Sequence, residues 1–366
     1  MSVKIVVPFL GLAAFAVLAI FPLWSTKAGE TTTSGEYKVL PPVRHGNLTV
    51  FPVVAAASHN TQQFLTLDEG LKSGEVVVTE SGGVQPMIRR RTPIPSGGAQ
   101  VNRLVLVNNS KRPLILLAGE IVTGGKQDRV IGKDRIVPAE SDPIDLSVFC
   151  VEPGRWTGAS ASFGAGIGGS SYGSPMAAPK VRAKAMADKD QAQVWSEVRS
   201  AQAGVAARMP APAAAAVNGT TSYARVMAND EVKQQVDAVA VPVEREYRSV
   251  IQQLRDRNAV GVVVAVNGQI IWADMFASTD LLEKYWPKLV RSYAAEAFVS
   301  RTSSTQTDVK AAQAFLDNLA GRHETVDSEP GLYRHTEIAG EGFRAFELTS
   351  LLPKTGFELH VAKMAE

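Results

Sequence analysis

Cysteine is almost missing from this sequence: Cys150 stands alone in 366 residues, which excludes an intramolecular disulfide as a source of stability. Histidine is sparse too. The five, at positions 45, 59, 323, 335 and 360, include no two at the spacing of zinc ligands, so metal binding is not expected. An excess of either charge is nearly absent, since 38 basic and 36 acidic residues leave a net +2. A chain with so little net charge has no overall field to draw in nucleic acid, which is not an expected partner. The Arg89-Arg90-Arg91 triplet is too short to alter this and reads as a solvated turn face. Extreme composition is missing as well: 45% hydrophobic and 20% charged residues are ordinary for a chain with a real core, which excludes general disorder.

Long apolar runs are absent but for one. Lys4 precedes twenty uncharged residues, 5–24, long enough at about 1.5 Å of rise per residue to cross a bilayer core of roughly 30 Å. A short basic start followed by an apolar run is the layout of an export signal, and Thr26-Lys27-Ala28 is a small-x-small cleavage site. Residues 1–28 are therefore expected to be either a cleaved signal peptide or a membrane anchor, with the body of the protein exported, periplasmic or extracellular. Lipoprotein anchoring is excluded because no cysteine follows the run.

What is present is a dense alternation of β-branched runs and turn residues. Residues 48–54, 75–79, 101–107, 114–122, 129–131 and 144–151 read as short strands, broken by Gly, Pro, Asn and Ser clusters. Together they predict a β-rich, antiparallel sandwich or barrel-like domain over 37–156. Residues 157–186, rich in Gly, Ser and Ala, read as a flexible loop; glycines 164, 166 and 169 match dinucleotide-fingerprint spacing without the strand and helix that give the motif meaning. No cofactor is indicated. Residues 187–366 read as an α+β region. Helices are expected over 188–208, 230–257 (with a break at Pro242), 279–298 and 307–319, and a second flexible loop at 209–222. A hairpin over 261–275 turns on Asn267-Gly268, with Trp272 opposite Val263 and Asp274 opposite Gly261. Asp274 is then either a helix-leading carboxylate at the sheet rim or a site residue, and strands near the C-terminus put His335 and His360 at sheet edges. The fold class expected is α+β, with the β-rich part first and a helix-plus-β-hairpin region after it.

Candidate functional residues concentrate in 112–156. Taking Gly124-Gly125 as a two-residue turn places Glu120 opposite Arg129 and Val122 opposite Gln127, with these four side chains on one face. Glu120 ends an apolar run, and an arginine–carboxylate pair there would be charge-assisted. Downstream, Cys150 and Glu152 share a strand face, with Arg155 and Trp156 just beyond. Glu120, Gln127, Arg129, Glu152, Arg155 and Trp156 thus form a candidate site for a small polar or anionic ligand. Glu120 and Glu152 are candidate acid/base groups, and Cys150 is either a nucleophile or an apolar filler.

The segments LAGEIVTGGKQDRVI and VFCVEPGRW together resemble the ARG and rhodanese-phosphatase superfamily-associated protein domain, ARG standing for ADP-ribosylglycohydrolase. The resemblance runs in outline from about Val39 to the C-terminus. It implies a connection to nucleotide or ADP-ribose metabolism and carries no assigned reaction or catalytic residue. Three functional classes stay open: a non-catalytic binding module, a hydrolase or transferase, and a structural envelope protein.

Overall fold

A computed structural model describes residues 37–81, 102–154, 163–164, 175–254, 257–300 and 305–366. The N-terminal apolar run, the arginine triplet, Arg155, Trp156 and two of the three motif glycines, Gly166 and Gly169, lie outside the described residues. Among the described residues, no helix is long and apolar enough to cross a membrane.

The fold is α+β and is dominated by a nine-stranded antiparallel sheet. Its strands run in the order Tyr37–Val39, Leu48–Ala55, Asn258–Val266, Gln269–Phe276, Glu358–Ala365, Phe343–Ser350, Tyr333–Gly340 and Gly321–Glu329, with Val43–His45 paired beside Leu48–Ala55. The chain from the expected first domain is thus built into the same sheet as the C-terminal region: Leu48–Ala55 pairs along its whole length with Asn258–Val266. A six-stranded and a three-stranded sheet hold the remaining N-terminal strands.

Both faces of the large sheet are covered, so its central strands are apolar on both sides. One face packs on helix Val309–Asp317 through Val263, Ala265, Ala273 and Met275. The other receives helices Asp230–Gln253 and Thr279–Val299, whose Tyr247, Tyr285, Trp286 and Leu289 are buried with Val262, Val264 and Phe276. Side-chain caps start these helices where the chain supplies short polar residues: Asn229, Ser278 and Asp308 each accept from a backbone N–H in the first turn. The last helix starts after Asp308, two residues inside the expected 307–319 span, and Pro242 sits inside a helix that continues through it.

Several expectations are corrected. The Asn267-Gly268 turn is present, both residues having positive φ (54° and 75°) as a tight hairpin requires. A bulge between Val264 and Ala265 then shifts the register by one, placing Trp272 opposite Val264 and Asp274 opposite Val262. A one-residue slip exchanges the two faces of a strand. Asp274 therefore points to the side covered by helices Asp230–Gln253 and Thr279–Val299, where Tyr293 reaches it, and is fully buried in mid-sheet, not at a rim. His335 and His360 are likewise buried within the sheet, at 1% and 0% exposure. Within 209–222 a helix, Ala211–Asn218, replaces the expected loop, its alanines being strong helix formers. The end of the expected 157–186 loop is also helical: Pro179–Ala183, with proline at the start, runs into a π-helical turn, Lys184–Asp188.

Candidate functional site

The 112–137 segment is held by a turn that no strand pattern foretells. Leu117–Glu120 folds tightly, Glu120 N–H donating to the Leu117 carbonyl, and Gly119 takes φ +96°. Glycine is required twice over here, because a Cβ would also stand 2.5 Å from Cγ of Arg182. Two residues of this turn reach a buried carboxylate. The Leu117 N–H donates to a carboxylate oxygen of Glu120 (2.8 Å), and the Ala118 N–H donates to Asp134 (2.7 Å).

Asp134 opens onto a fully buried polar chain. Its other oxygen meets His360 Nδ1 at 2.5 Å, and His360 Nε2 meets Asp274 at 3.1 Å. Asp274 accepts from both terminal nitrogens of Arg182 (2.8 and 2.9 Å) and from the Tyr293 hydroxyl. Arg182 in turn stacks over Trp272, 4.5 Å from the ring centroid. Burial by itself raises carboxylates, yet the Arg182 guanidinium and the His360 ring hold Asp274 well below the usual range, and His360 does the same to Asp134. Burial opposes a charged imidazole, but the two carboxylates pull His360 up to about 9. The result is a compensated ionic core. All four groups, Asp134, Arg182, Asp274 and His360, are fully buried.

Glu120 belongs to a neighbouring cluster. Its carboxylate bonds the ammonium of Lys288 (2.5 Å), which also binds Asp68 (2.6 Å) and lies 4.8 Å from the centroid of the Tyr285 ring. Burial opposes the charge on Lys288, and the two carboxylates keep it charged. The expected Glu120–Arg129 pair is not formed. The reverse turn is wider than two residues, so Arg129 stands opposite Val122, and Glu120 accepts at its backbone from Ile131. Asp128 widens the turn by accepting from the Gly124 N–H (3.0 Å).

The structure does gather Gln127, Arg129, Cys150 and Glu152. Gln127 donates to the Glu152 carbonyl, the Asp128 N–H donates to the Glu152 carboxylate, and Arg129 donates to the Gln127 carbonyl. Ser222 donates to Asp128 (2.6 Å), and Gln191 clamps both backbone groups of Cys150. All of these side chains but the half-buried Gln191 are buried, and they fasten the strands to helices Gln191–Ala206 and Tyr223–Ala228. Burial pushes the Cys150 thiol up, away from the thiolate a nucleophile needs.

One open cleft among the described residues lies elsewhere, on the outer end of the sheet face that carries the ionic core. In register across that face run Asp327, His335, Leu348, His360 and Phe276, and beside them Glu337, Phe346, Ala362 and Asp274. Two segments cross above these rows. Residues 133–135 reach down to it three times: Lys133 to Asp327, Asp134 to His360, and Arg135 to Glu329. The second segment descends from Arg182 on Asp274, through the π-helical turn, to Lys189 on Glu337 (2.5 Å). Between the two is a cleft of about 280 Å³, lined by Gly132, Lys133, Ser147, Phe149, Ala185, Lys189, Asp327 and Glu337.

Three features distinguish this cleft. One wall is a π-helical turn, a form concentrated at functional sites. That turn ends at Lys189 with φ +52°, a strained geometry for a lysine. Beneath the lining, directly across from Asp327, is the buried His335, which is not itself part of the lining and has neither ring nitrogen hydrogen-bonded among the described residues. Leaving a buried polar group unpaired costs about 1–3 kcal/mol. Burial holds this imidazole below its ordinary pKa, so it is neutral near pH 7. Sequence reasoning missed the cleft because its residues come from four separate stretches; the one local signal was alternation, which puts His335 and Glu337 on the same strand face. Among the described residues, no group of three His, Cys, Asp or Glu is placed to hold a metal ion.

No curated protein and no solved structure matches the chain. A family model, described as the ARG and Rhodanese-Phosphatase-superfamily-associated Protein domain, matches residues 36–362. That span takes in the Leu117–Glu120 turn, the ionic core and every residue of the cleft, and on this match the chain belongs to the ARG and rhodanese-phosphatase superfamily-associated protein domain family.

Proposed function

We propose that this protein is a binding module for a small polar or anionic molecule, which it holds without transforming. The cleft carries the reading. Its Lys133–Asp327 and Lys189–Glu337 pairs are partly solvent-exposed, and such pairs are worth only about 0–1 kcal/mol. A ligand can exchange them at little cost, whereas the ionic core behind them is costly to break and keeps the walls in place. The acid, base and thiol candidates Glu120, Glu152 and Cys150 are all buried and already engaged, which favours binding over a hydrolase or transferase reaction. Thermal-shift and calorimetric screening of the full chain against ADP-ribose, nucleotides and sugars tests the reading. Stabilisation lost in the Lys133→Ala/Lys189→Ala double variant is the expected result. No stabilisation by any compound, or stabilisation the double variant keeps, refutes it; turnover of a bound compound transfers the case to the enzyme class.

Export is proposed on the sequence of residues 5–24 alone. Fractionation of cells making the full chain with a C-terminal tag is expected to place it beyond the inner membrane or within the membrane fraction. Recovery with the cytosolic fraction refutes it.

A further inference from the structure

We propose that the bare edge of the nine-stranded sheet, strand Gly321–Glu329, pairs with the same strand of a second copy of this chain. The two strands run antiparallel about a two-fold axis at His323, so that Arg322 of each copy faces Glu324 of the other. The proposal is independent of what the cleft binds.

The two edges of the sheet end differently. At one, the strand is three residues long, Tyr37–Val39, and the Gln313 side chain takes up two of its backbone groups, accepting from the Val39 N–H (2.8 Å) and donating to the Tyr37 carbonyl (3.1 Å). At the other, the strand is nine residues long, and its residues 321–325 are all exposed. These five pair in unbroken register with residues 336–340, so every second one turns its N–H and C=O outward to solvent. Such a row is a template for another strand, and proteins usually blunt it with lysine, proline, a bulge or short length. Residues 321–325 contain neither lysine nor proline, and the bulge comes only after Thr325. What they carry is a cation and an acid two residues apart on one strand face, Arg322 and Glu324, with side chains 81% and 61% exposed.

Charge selects both the occupant and the register. Antiparallel strands related by a two-fold axis meet with one residue opposite its own copy, and the neighbours pair reciprocally around it. Centring on Arg322 or on Glu324 would set like charges face to face, which is destabilising. Centring on His323 sets Arg322 opposite Glu324 on both sides of the axis, four alternating charges on one face, all within the regular run before the bulge. A foreign strand without this pattern meets a charged edge, whereas the chain's own edge meets its complement. Within one copy Arg322 and Glu324 lie 3.4 Å apart, an exposed pair that is weak and readily exchanged. Glu324 also has an acid, Glu337, directly opposite it in its own sheet, and a second copy brings Arg322 to its other side. Because Glu337 lines the cleft and the axis stands perpendicular to the sheet, the clefts of both copies open on the same face of one continuous sheet.

The test is sedimentation velocity of the full chain in mild detergent, at concentrations raised to about 500 μM because so short a strand pairing belongs with weak, transient interfaces. Wild type is expected to associate. Arg322→Glu and Glu324→Arg each put like charges across the axis, and each is expected to weaken association about tenfold or more without changing the melting temperature. Mixed in equal amounts, the two variants complement one another and are expected to associate at least as well as wild type. His323→Cys is expected to yield a covalent dimer with a short thiol-to-thiol cross-linker, since its thiols face each other and Cys150 is buried. Association that neither charge variant weakens, or that mixing does not restore, overturns the pairing, and an associating His323→Cys chain that escapes cross-linking overturns the register. A wild type that stays monomeric refutes the second copy as occupant and leaves the edge to a foreign strand.

Discussion

Replacing Asp274 by asparagine keeps the shape of the side chain and removes its charge, which isolates what that charge does. Asp274 accepts from Arg182 twice, from Tyr293 and from His360, all without solvent access. Asparagine offers one acceptor oxygen and turns an NH₂ toward donors. Arg182 is left as a buried cation without its counter-charge, a change that typically costs about 3–5 kcal/mol. Arg182→Met is expected to cost a similar amount, since it strands Asp274. The double variant removes both charges, and its cost should fall below the sum of the two by at least about 2 kcal/mol, at the upper end of the coupling seen between contacting residues. Urea unfolding followed by tryptophan fluorescence measures each value, Trp272 under the guanidinium being a local reporter. Costs that add to within about 0.5 kcal/mol, or an Asp274→Asn penalty under about 1 kcal/mol, refute the compensated ionic core.

Other outcomes follow from the same geometry. His360 has its folded pKa raised from 6.5 to about 9, so its contribution is complete below pH 6.5 and is lost as pH rises through about 9; His360→Asn should flatten that part of a stability-against-pH curve. Burial and the nearby Glu358 raise Glu347 from 4.5 to about 7, so the folded state loses stability as pH rises from 4.5 to about 7, and Glu347→Gln should abolish the loss in denaturation measured across that window. Gly119→Ala must place a Cβ at φ +96° against Arg182, and should cost at least about 2 kcal/mol in urea unfolding; a near-neutral variant would show that the turn can relax. Cys150 should react with a neutral-pH thiol reagent at least about a hundredfold more slowly in the folded than in the urea-unfolded chain, and labelling at the unfolded rate would return it to candidacy as a nucleophile.

The local elements were legible in the sequence because their causes are local. The Asn267-Gly268 turn, the amphipathic run from Thr279 and the β-branched runs each carry their own signal in spacing and turn chemistry, and the family resemblance lay in contiguous segments around Leu117 and Val148. The site was not legible, for reasons that can be named residue by residue. Asp274 faces the ionic core because of one bulge, which no alternation pattern announces. Glu120 and Arg129 part company because Asp128 widens their turn. Arg182 looked like loop residue, with a Gly/Ser/Ala stretch before it, until a helix beginning at Pro179 carried it into the sheet.

By itself, then, the order of residues determined most kinds of element, the two expected loops that prove helical excepted, together with the α+β class and the family, all of which depend on neighbours within a turn or a strand's length. Only the tertiary structure decided which charges meet: Asp134 with His360 across 226 positions, Lys133 with Asp327 across 194, and the cleft that opens between them. Partners so far apart are selected by sheet order and register, properties of the whole packed chain, and electrostatic energy that depends on the distance between charges cannot be read until that packing fixes it.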